Sequence, residues 1–361
     1  MHKSIVTTSV KFWCIVFLLI TSRVFAQAND SLQCLRHTHY YDGVGPKVLV
    51  RPEPPLAPER ELVVAALPIS YDGKLYLTEK QSAIYEWEGH SYKVGGELAA
   101  SPAVSGDLVV AGNTKGQIVA FSRTKGTSRW KYKIKSALEH PPIIAQGLVF
   151  IPSADGMLYA LDTNGKMKWN KSIGGALSSP SYDNGIIYIG SGSSKTVALN
   201  AVTGKQVWEF TSGGRCPAIT DSLVFVQNSN GALIALGKTT GIEQWRFDED
   251  ASASAFEPAV SPDYIVYSCR NTVTVLHTLT GKKAWVREFG RPLCGSPMIV
   301  GQMIYQPCAD FKLHIIEAPT GTETSNIDIG FAPVGTPIYD AGTIIYKSRK
   351  MVYRFVGEVK E

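Results

Sequence analysis

The sequence predicts an all-β protein, an eight-bladed β-propeller of four-stranded antiparallel blades. A Gly followed four residues later by Trp recurs five times, and 37 to 40 residues separate successive tryptophans. Eight prolines, spaced 34 to 41 residues apart, each open a unit with the same order of short apolar runs. Four short strands per unit of about 40 residues are typical of propeller blades. The pairs are Gly126/Trp130, Gly165/Trp169, Gly204/Trp208, Gly241/Trp245 and Gly281/Trp285, and the prolines are Pro68, Pro102, Pro142, Pro180, Pro217, Pro258, Pro297 and Pro337.

The fourth unit shows why each run is predicted to be a strand. Its four runs are SSPSY, IIYIGS, TVALN and QVWEF, separated by DNG, GSSK and AVTGK. Short runs rich in Ile, Val and Tyr that are bounded by Gly, Asn, Asp or Ser predict strands joined by turns. In the third and fifth units, Asp155-Gly156 and Asn230-Gly231 fall between the second and third strands, where a tight hairpin needs positive φ. No stretch has helical periodicity over more than a turn or two.

The ring is predicted to close through an N-terminal strand. The eighth unit runs from Pro337 to Val356 and stops before a fourth strand, whereas the apolar run Glu61–Ala66 precedes the first unit without an assignment. Pairing the two would complete the last blade and remove both open sheet edges. The alternative is a ring of seven blades that leaves residues 68–87 outside the propeller.

Residues 1–28 have the pattern of a removable secretory signal. A basic start is followed by a nine-residue apolar run, too short to span a membrane, and by small residues at Ala26 and Ala28. We therefore expect an exported, periplasmic or secreted protein that is not an integral membrane protein. An extended segment is expected over residues 29–60 and the propeller over residues 61–361. Loss of residues 1–28 lowers the formal net charge from +5 to +2, because it removes three basic and no acidic residues. This balance argues against nucleic-acid binding.

The recurrent tryptophans are interpreted as structural. A Trp at the same place in each unit is expected to pack between neighbouring blades, with its indole N–H bonded to a fixed partner. This blade-docking role is assigned to Trp130, Trp169, Trp208, Trp245 and Trp285.

Strand direction predicts one rim at which loops from several blades meet. The start of a first strand and the end of a second strand share this rim, because the two strands are antiparallel. Folding one onto the other in the seventh unit brings Cys294 near Cys308, with Cα atoms within about 7 Å, so we predict a disulfide in an oxidising compartment. The alternative is a pair of buried, inert thiols.

The same rim combines Arg with aromatic residues, the composition of protein–protein hot spots. We predict that it binds an acidic or extended peptide segment, and the alternative is a solvated loop surface. The predicted partner-binding residues are Arg215, Phe256, Arg270, Arg291, Phe311, Lys312 and Arg349.

The sequence contains no recognisable catalytic or metal-binding motif. Phosphate-loop, zinc-protease and nucleophile-elbow patterns are all absent from it. His37, His39 and Asp42 lie in a polar N-terminal segment and are interpreted as solvated linker, because two imidazoles rarely make a structural site alone. We assign no catalytic residue and no metal ligand.

The segment Ala198-x-Asn200-x-x-Thr203-Gly204-x-x-x-Trp208 resembles the tryptophan-docking motif of the quinoprotein-like (PQQ-type) repeat propellers, and the similarity covers about residues 68–356. Alcohol dehydrogenases of that family use a vicinal Cys–Cys disulfide over the quinone and a calcium ion held by acidic and amide side chains. This sequence has no adjacent cysteines and is shorter than those enzymes. On this resemblance, neither PQQ nor calcium is expected.

The resemblance points instead to non-enzymatic members of the family, periplasmic scaffolds of the outer-membrane β-barrel assembly machinery. It implies an exported binding scaffold with a protein or peptide partner in the cell envelope. The alternative is a quinone- or small-molecule-binding oxidoreductase that uses the central channel.

Overall fold

The structure, a computed structural model, describes residues 40–41, 49–50, 66, 68–79, 82–86, 89–215, 217–248, 255–329, 335–340, 342–347 and 352–357. All regular elements in these ranges are β-strands, and they form eight sheets. This confirms the predicted all-β propeller of eight four-stranded antiparallel blades. None of the described residues forms a helix that is long and apolar enough to cross a membrane.

Each blade takes its four strands in chain order, except the last, which borrows one from the N-terminal segment. Two short strands precede the first blade, β1 (Tyr40–Tyr41) and β2 (Leu49–Val50). Blades 1 to 4 consist of β3–β6 (Ile69–Tyr71, Lys74–Thr78, Ala83–Glu86, Ser91–Lys93), β7–β10 (Ala103–Ser105, Leu108–Gly112, Gln117–Ser122, Ser128–Lys133), β11–β14 (Ile143–Ala145, Leu148–Pro152, Met157–Asp162, Met167–Ser172) and β15–β18 (Ser181–Asp183, Ile186–Ser191, Lys195–Asn200, Gln206–Phe210). Blades 5 to 8 consist of β19–β22 (Ala218–Ile219, Leu223–Gln227, Leu233–Gly237, Glu243–Phe247), β23–β26 (Ala259–Val260, Tyr264–Cys269, Thr272–His277, Lys283–Glu288), β27–β30 (Met298–Val300, Met303–Cys308, Lys312–Glu317, Glu323–Asp328) and β31–β33 (Ile338–Asp340, Thr343–Lys347, Val352–Gly357) with β2.

The first strand of each blade lies innermost in the ring. First strands of neighbouring blades contact each other, as β7 contacts β11 and β3 contacts β31. Second strands such as β8 and β12 are buried along their whole length, whereas the fourth strands β10 and β14 expose alternate residues. The turns therefore emerge at two opposite edges of the ring.

We call these edges rim A and rim B. Rim A carries the turns between second and third strands and the connections between blades, which in blade 7 are residues 309–311 and 289–297. Rim B carries the turns between first and second strands and between third and fourth strands, which in blade 7 are residues 301–302 and 318–322.

The hydrophobic core lies between the blades. Within the described residues, buried apolar side chains form eight clusters, and each cluster joins two neighbouring blades. Successive clusters link blades 1 to 8 in order, and the eighth joins Ile345 of blade 8 to Leu75 and Leu77 of blade 1. The ring is therefore closed, although this last cluster is the smallest of the eight.

The docking of tryptophan onto glycine recurs at five blade interfaces. The Trp of one blade lies against the Gly that begins the same motif in the next blade, as Trp130 does against Gly165. Its indole Nε1 donates a hydrogen bond to a backbone carbonyl oxygen just before that Gly, at 2.9 Å for Thr163. The other four bonds run from Trp169 to Ala201, Trp208 to Lys238, Trp245 to Thr278 and Trp285 to Ala318, at 2.7 to 3.2 Å.

Histidine takes the place of Trp between blades 1 and 2. The His90 ring lies against Gly126, and its Nε2 is 3.2 Å from the carbonyl oxygen of Thr124. Blade 7 has Ser325 at the Trp position, since Ser325 pairs with Ile315 as Trp285 pairs with Val275. The interface of blades 7 and 8 is filled instead by aromatic side chains, among them Tyr305, Tyr346 and Phe355.

An N-terminal strand closes the last blade, but it is not the predicted one. Leu49 and Val50 pair with Gly357 and Val356 of β33, so the strand lies in the segment expected to be an extended tether. Of the predicted strand Glu61–Ala66, only Ala66 belongs to the described residues, and it lies in a bend. In the same tether, Tyr40–Tyr41 pairs in parallel with β27, so blade 7 gains a fifth strand on the inner side of its first strand. The predicted signal at residues 1–28 lies outside the described residues.

Replacing Gly165 by Ala tests the docking contact. Gly165 has a φ of 82°, and a Cβ there would lie 2.7 Å from the Trp130 ring. We expect backbone strain of about 1–2 kcal/mol, with about 1–3 kcal/mol more because the indole must move. Gly147→Ala in the same blade is the matched control, since Gly147 has a φ of 71° and nothing within 4 Å of the added Cβ. Equal losses of unfolding free energy in denaturant titrations of the two variants would contradict the docking role.

Candidate functional site

The structure brings six of the seven predicted partner-binding residues to rim A of blades 5 to 7. Arg270, Phe311 and Lys312 lie at turns between second and third strands, and Arg215, Phe256 and Arg291 lie in connections between blades. Arg349 lies outside the described residues. Their shared location follows from strand direction alone, whereas their role in binding a partner stays a prediction.

The six residues differ in exposure. Arg270, Arg291 and Phe311 are exposed, and Phe311 keeps 48% of its surface accessible to solvent. Arg215 and Phe256 are half-buried, because Arg215 Nη1 donates a hydrogen bond of 2.9 Å to the carbonyl oxygen of Ala255 and Phe256 packs against the core between blades 6 and 7. Arg215 therefore ties blade 5 to blade 6.

Backbone hydrogen bonds join the three exposed residues into one patch, which we call the blade 6–7 patch (Arg270, Arg291 and Phe311). The amide of Leu293 donates to the carbonyl oxygen of Arg270 at 2.6 Å, so the turn of blade 6 is fixed to the connection that carries Arg291. The amide of Ala309 donates to the carbonyl oxygen of Pro292 at 2.8 Å, which fixes that connection to the turn that carries Phe311.

Two residues of this patch hold the left-handed backbone conformation. Arg270 has a φ of 56° and Phe311 a φ of 67°. Non-glycine residues rarely adopt this conformation, since it costs about 1–2 kcal/mol for an L-residue. The backbone conformation of these two tight turns therefore helps to set the directions in which the Arg270 and Phe311 side chains leave rim A.

A chain of buried polar side chains supports rim A from below. The Gln227 side-chain amide donates to the carbonyl oxygen of Phe256 at 3.2 Å, which joins blade 5 to blade 6. Ser268 Oγ donates to Gln306 Oε1 at 2.6 Å, which joins blade 6 to blade 7. Gln306 Nε2 donates to the carbonyl oxygens of Gly295 and Pro307 at 3.1 and 3.0 Å. Since Gln306 satisfies three buried groups, it fixes the relative position of the two blades under the patch.

A cluster of side chains beside the patch could hold a metal ion, although the sequence predicted no ligand. Within the described residues, one ligand atom each of Cys308, Asp310 and His314 lies within 4.8 Å of the others. The sequence signal for this cluster is the alternation of side chains between the two faces of the hairpin in blade 7. Cys308 pairs with Lys312 and Gln306 pairs with His314, so the side chains of Cys308 and His314 share one face of the blade. The turn then places Asp310 over that face, and this placement depends on the turn conformation.

His314 is held in one orientation by two carboxylates and an aromatic ring. Its Nδ1 is 2.9 Å from Glu323 Oε1 and its Nε2 is 3.0 Å from Asp310 Oδ2. The Phe289 ring packs edge-on against it, with ring centroids 4.9 Å apart. Partial burial opposes ionisation of Glu323, but hydrogen bonds from His314 and Asn326 together with the Arg287 charge hold the pKa of this carboxyl below its ordinary value.

The two predicted disulfide partners lie side by side as free thiols. The amide of Cys294 donates to the carbonyl oxygen of Pro307 at 3.2 Å, and the Sγ atoms of Cys294 and Cys308 both lie against the carbonyl oxygen of Pro292, at 3.9 and 3.5 Å. The predicted bond is not formed in this structure, and the disulfide itself stays a prediction. Burial, with the nearby Asp310 charge, raises the pKa of Cys308 to about 11, so neither an activated nucleophile nor a free thiolate is expected at neutral pH.

The inner strands do not fit a quinone with its calcium ion. The described first strands carry two carboxylates, Asp183 and Asp340. Asp183 is already held by Lys238 Nζ at 2.7 Å. The chain has no adjacent cysteines, and the Cys308 cluster lies at the second and third strands rather than on the innermost strand. We therefore derive no catalytic step through these groups.

Replacing Gln306 by Leu tests the support beneath rim A. Leu fills similar volume but leaves Ser268 Oγ and the carbonyl oxygens of Gly295 and Pro307 without this partner, so we expect a loss of about 1–3 kcal/mol in unfolding free energy. Ser153→Ala is the control, because Ser153 Oγ is buried without a hydrogen-bond partner in the described residues and its removal is expected to be neutral or stabilising. Denaturant titration measures both, and an unchanged Gln306→Leu variant would rule out this supporting role.

Mild oxidation of the reduced protein tests the proximity of the two thiols. We expect Cys294 and Cys308 to form an intrachain disulfide, because the backbone hydrogen bonds hold their strands together. Cys269, a buried free thiol of blade 6, is the internal control and should remain alkylatable after unfolding. Peptide mapping without reductant reads out both, and recovery of Cys294 and Cys308 as thiols after oxidation would refute the expected pairing.

Solved structures show the same fold. BamB from Moraxella catarrhalis superposes with a TM-score of 0.71 and 18% identity, over 86% of this chain and all of that chain. Quinohemoprotein alcohol dehydrogenase from Comamonas testosteroni superposes with a TM-score of 0.70 and 14% identity, over 93% of this chain and 84% of that chain. At these identities, the two likenesses concern the fold alone.

Sequence comparison is more specific. The outer membrane protein assembly factor BamB of Nitrosomonas eutropha is 32% identical over 88 residues, which is 24% of this chain and 22% of that protein. This alignment thus spans about a quarter of each protein. The family model described as outer membrane protein assembly factor BamB matches residues 71–176 and 169–350. These ranges include most of the propeller, and the chain therefore belongs to the family of the outer membrane protein assembly factor BamB.

Proposed function

We propose that this protein is an exported, non-enzymatic scaffold that assists outer-membrane protein assembly and binds a protein segment at rim A. The membership of the BamB family supports the scaffold role. Rim A is proposed as the binding surface because of the blade 6–7 patch. This patch combines two exposed arginines with an exposed aromatic ring on a closed ring of blades. Loops on a rigid scaffold are common binding surfaces, and Arg with aromatic residues dominates hot spots.

The partner segment proposed for this patch is acidic or extended. Neither Arg270 nor Arg291 forms a salt bridge with another described residue, and Asp310, the acidic side chain at the turn, is directed to His314. The two guanidinium groups are thus available for carboxylates or main-chain carbonyl oxygens of a partner. Because backbone hydrogen bonds already fix the turns, binding needs little ordering of the main chain, and the entropy cost is mainly that of the two arginine side chains.

Charge reversal tests the proposed surface. The variant Arg270→Glu/Arg291→Glu should lower capture of envelope proteins from a native envelope extract by about 30-fold or more, because the loss of even one hot-spot contact costs about 2 kcal/mol. Phe311→Ala should lower it independently. Captured proteins are identified by mass spectrometry, and components of outer-membrane assembly are expected among those lost.

Rim B provides matched controls. Lys205→Glu/Lys282→Glu makes the same change in net charge at two exposed turns, and Leu279→Ala removes a side chain that is 69% exposed. These variants should capture partners as the unmodified protein does. Equal capture by the rim A and rim B variants would contradict the proposed surface.

A further inference from the structure

The cluster at the base of the blade 7 turn contains donors of the kind that zinc prefers. A thiol, an imidazole and one carboxylate offer ligand atoms within 4.8 Å of one another. Ligand atoms that share one zinc ion each lie about 2.0–2.3 Å from it, so they are separated by roughly 3.5 Å. Small side-chain rotations at Cys308, Asp310 and His314 would therefore close the set without movement of the strands.

His314 is prepared for metal binding through the nitrogen that faces the cluster. Its Nδ1 lies 2.9 Å from Glu323, whose other carboxylate oxygen is paired with Arg287. A donated Nδ1–H leaves the lone pair on Nε2, the atom beside Asp310. Metal-bound histidines almost always make such a bond to a carboxylate or carbonyl oxygen, which fixes the tautomer and the ring orientation.

Cys294 lies beside this set of three and is the candidate for a fourth ligand, although its sulfur is not among the atoms that lie within 4.8 Å of one another. Its sulfur and that of Cys308 contact the same carbonyl oxygen, that of Pro292, from the connection and from the second strand of blade 7. Cys294 is half-buried, Asp310 is partly exposed and Cys308 is buried, so an ion can enter from rim A and become enclosed. Four-coordinate sets of sulfur, nitrogen and oxygen atoms are typical of structural zinc sites, whereas calcium and magnesium need several oxygen ligands.

We propose that the reduced protein binds one zinc-like divalent cation through Cys308, Asp310 and His314, and that Cys294 moves in as the fourth ligand. Binding releases the protons of the two thiols to solvent, and the ion ties the connection 289–297 to the turn 309–311. Phe311 and Arg291 lie in these two segments, so the ion also fixes the blade 6–7 patch. The metal site does not depend on the proposed partner. If the protein does not bind the metal, the proposed function is unaffected.

Cobalt titration of the reduced, metal-free protein tests the site. We expect one Co²⁺ per chain, with the strong visible bands of tetrahedral coordination and a thiolate charge-transfer band, and displacement of Co²⁺ by Zn²⁺. Cys308→Ser and His314→Ala should abolish this spectrum. Glu323→Gln should weaken Zn²⁺ binding by about 10- to 100-fold, because Glu323 orients a ligand without touching the ion.

Two variants serve as controls. Cys269→Ser and His277→Gln change a thiol and an imidazole of blade 6 outside the cluster, and both should bind as the unmodified protein does. If Cys308→Ser does not fold, Asp310→Asn at the partly exposed turn gives the same test, and Zn²⁺ should slow amide exchange over residues 308–312 in the unmodified protein. Absence of Co²⁺ binding or a spectrum without a thiolate band would overturn the proposal. Binding that the ligand variants leave unchanged would also overturn it, because the ion would then be held elsewhere, for example by His37 and His39.

Discussion

The packing of a tryptophan ring over a glycine of the next blade is the contact on which the rest of the structure depends. A blade is a small twisted sheet that cannot bury both faces by itself, so its stability comes from its neighbours. Each docked indole covers the edge of a core cluster. It also donates a hydrogen bond to a backbone carbonyl oxygen that would otherwise need a water molecule as its partner, as Trp169 does for Ala201. Glycine is required because a Cβ at Gly204 would lie 2.8 Å from the Trp169 ring. Five such contacts fix the angles between blades 2 to 7, and hence the positions of the turns on rim A.

The interfaces of blade 8 with blades 7 and 1 are held together by contacts other than a docked tryptophan. Blade 7 carries Ser325 at the Trp position, and tyrosine and phenylalanine side chains fill its interface with blade 8. At the interface of blades 8 and 1, Leu75 and Leu77 meet Ile345 in a cluster of three residues, and the two-residue strand β2 covers the outer edge of β33. The candidate site lies at blades 6 and 7, where Trp285, Gln306 and Ser268 all join the blades. The surface proposed to bind a partner thus lies where both an indole hydrogen bond and buried polar hydrogen bonds join the blades.

The period of the sequence predicted the fold because each blade repeats the same physical requirement: four short strands, a glycine that accepts an indole and an indole that needs a carbonyl. Interruptions of the period were harder to predict. His90 replaces an indole with a different ring, and Leu49–Val50 is too short for an apolar pattern to distinguish it from Glu61–Ala66. Strand direction was enough to place Arg270 and Phe311 on one rim, but it could not show that Arg215 is tied to Ala255. The ligand set of Cys308, Asp310 and His314 was missed because it depends on how one turn folds over one face of a hairpin.

The most direct test of this account is hydrogen exchange under native conditions, followed by mass spectrometry of peptides from blades 1, 4 and 8. A closed ring of eight blades predicts that amides of Lys74–Thr78 and Thr343–Lys347 are protected as strongly as those of Ile186–Ser191 in blade 4, because all three strands pair on both sides and pack against a neighbouring blade. Exchange of Thr343–Lys347 at the rate of an exposed loop, with blade 4 still protected, would show that the ring is open and would contradict the account.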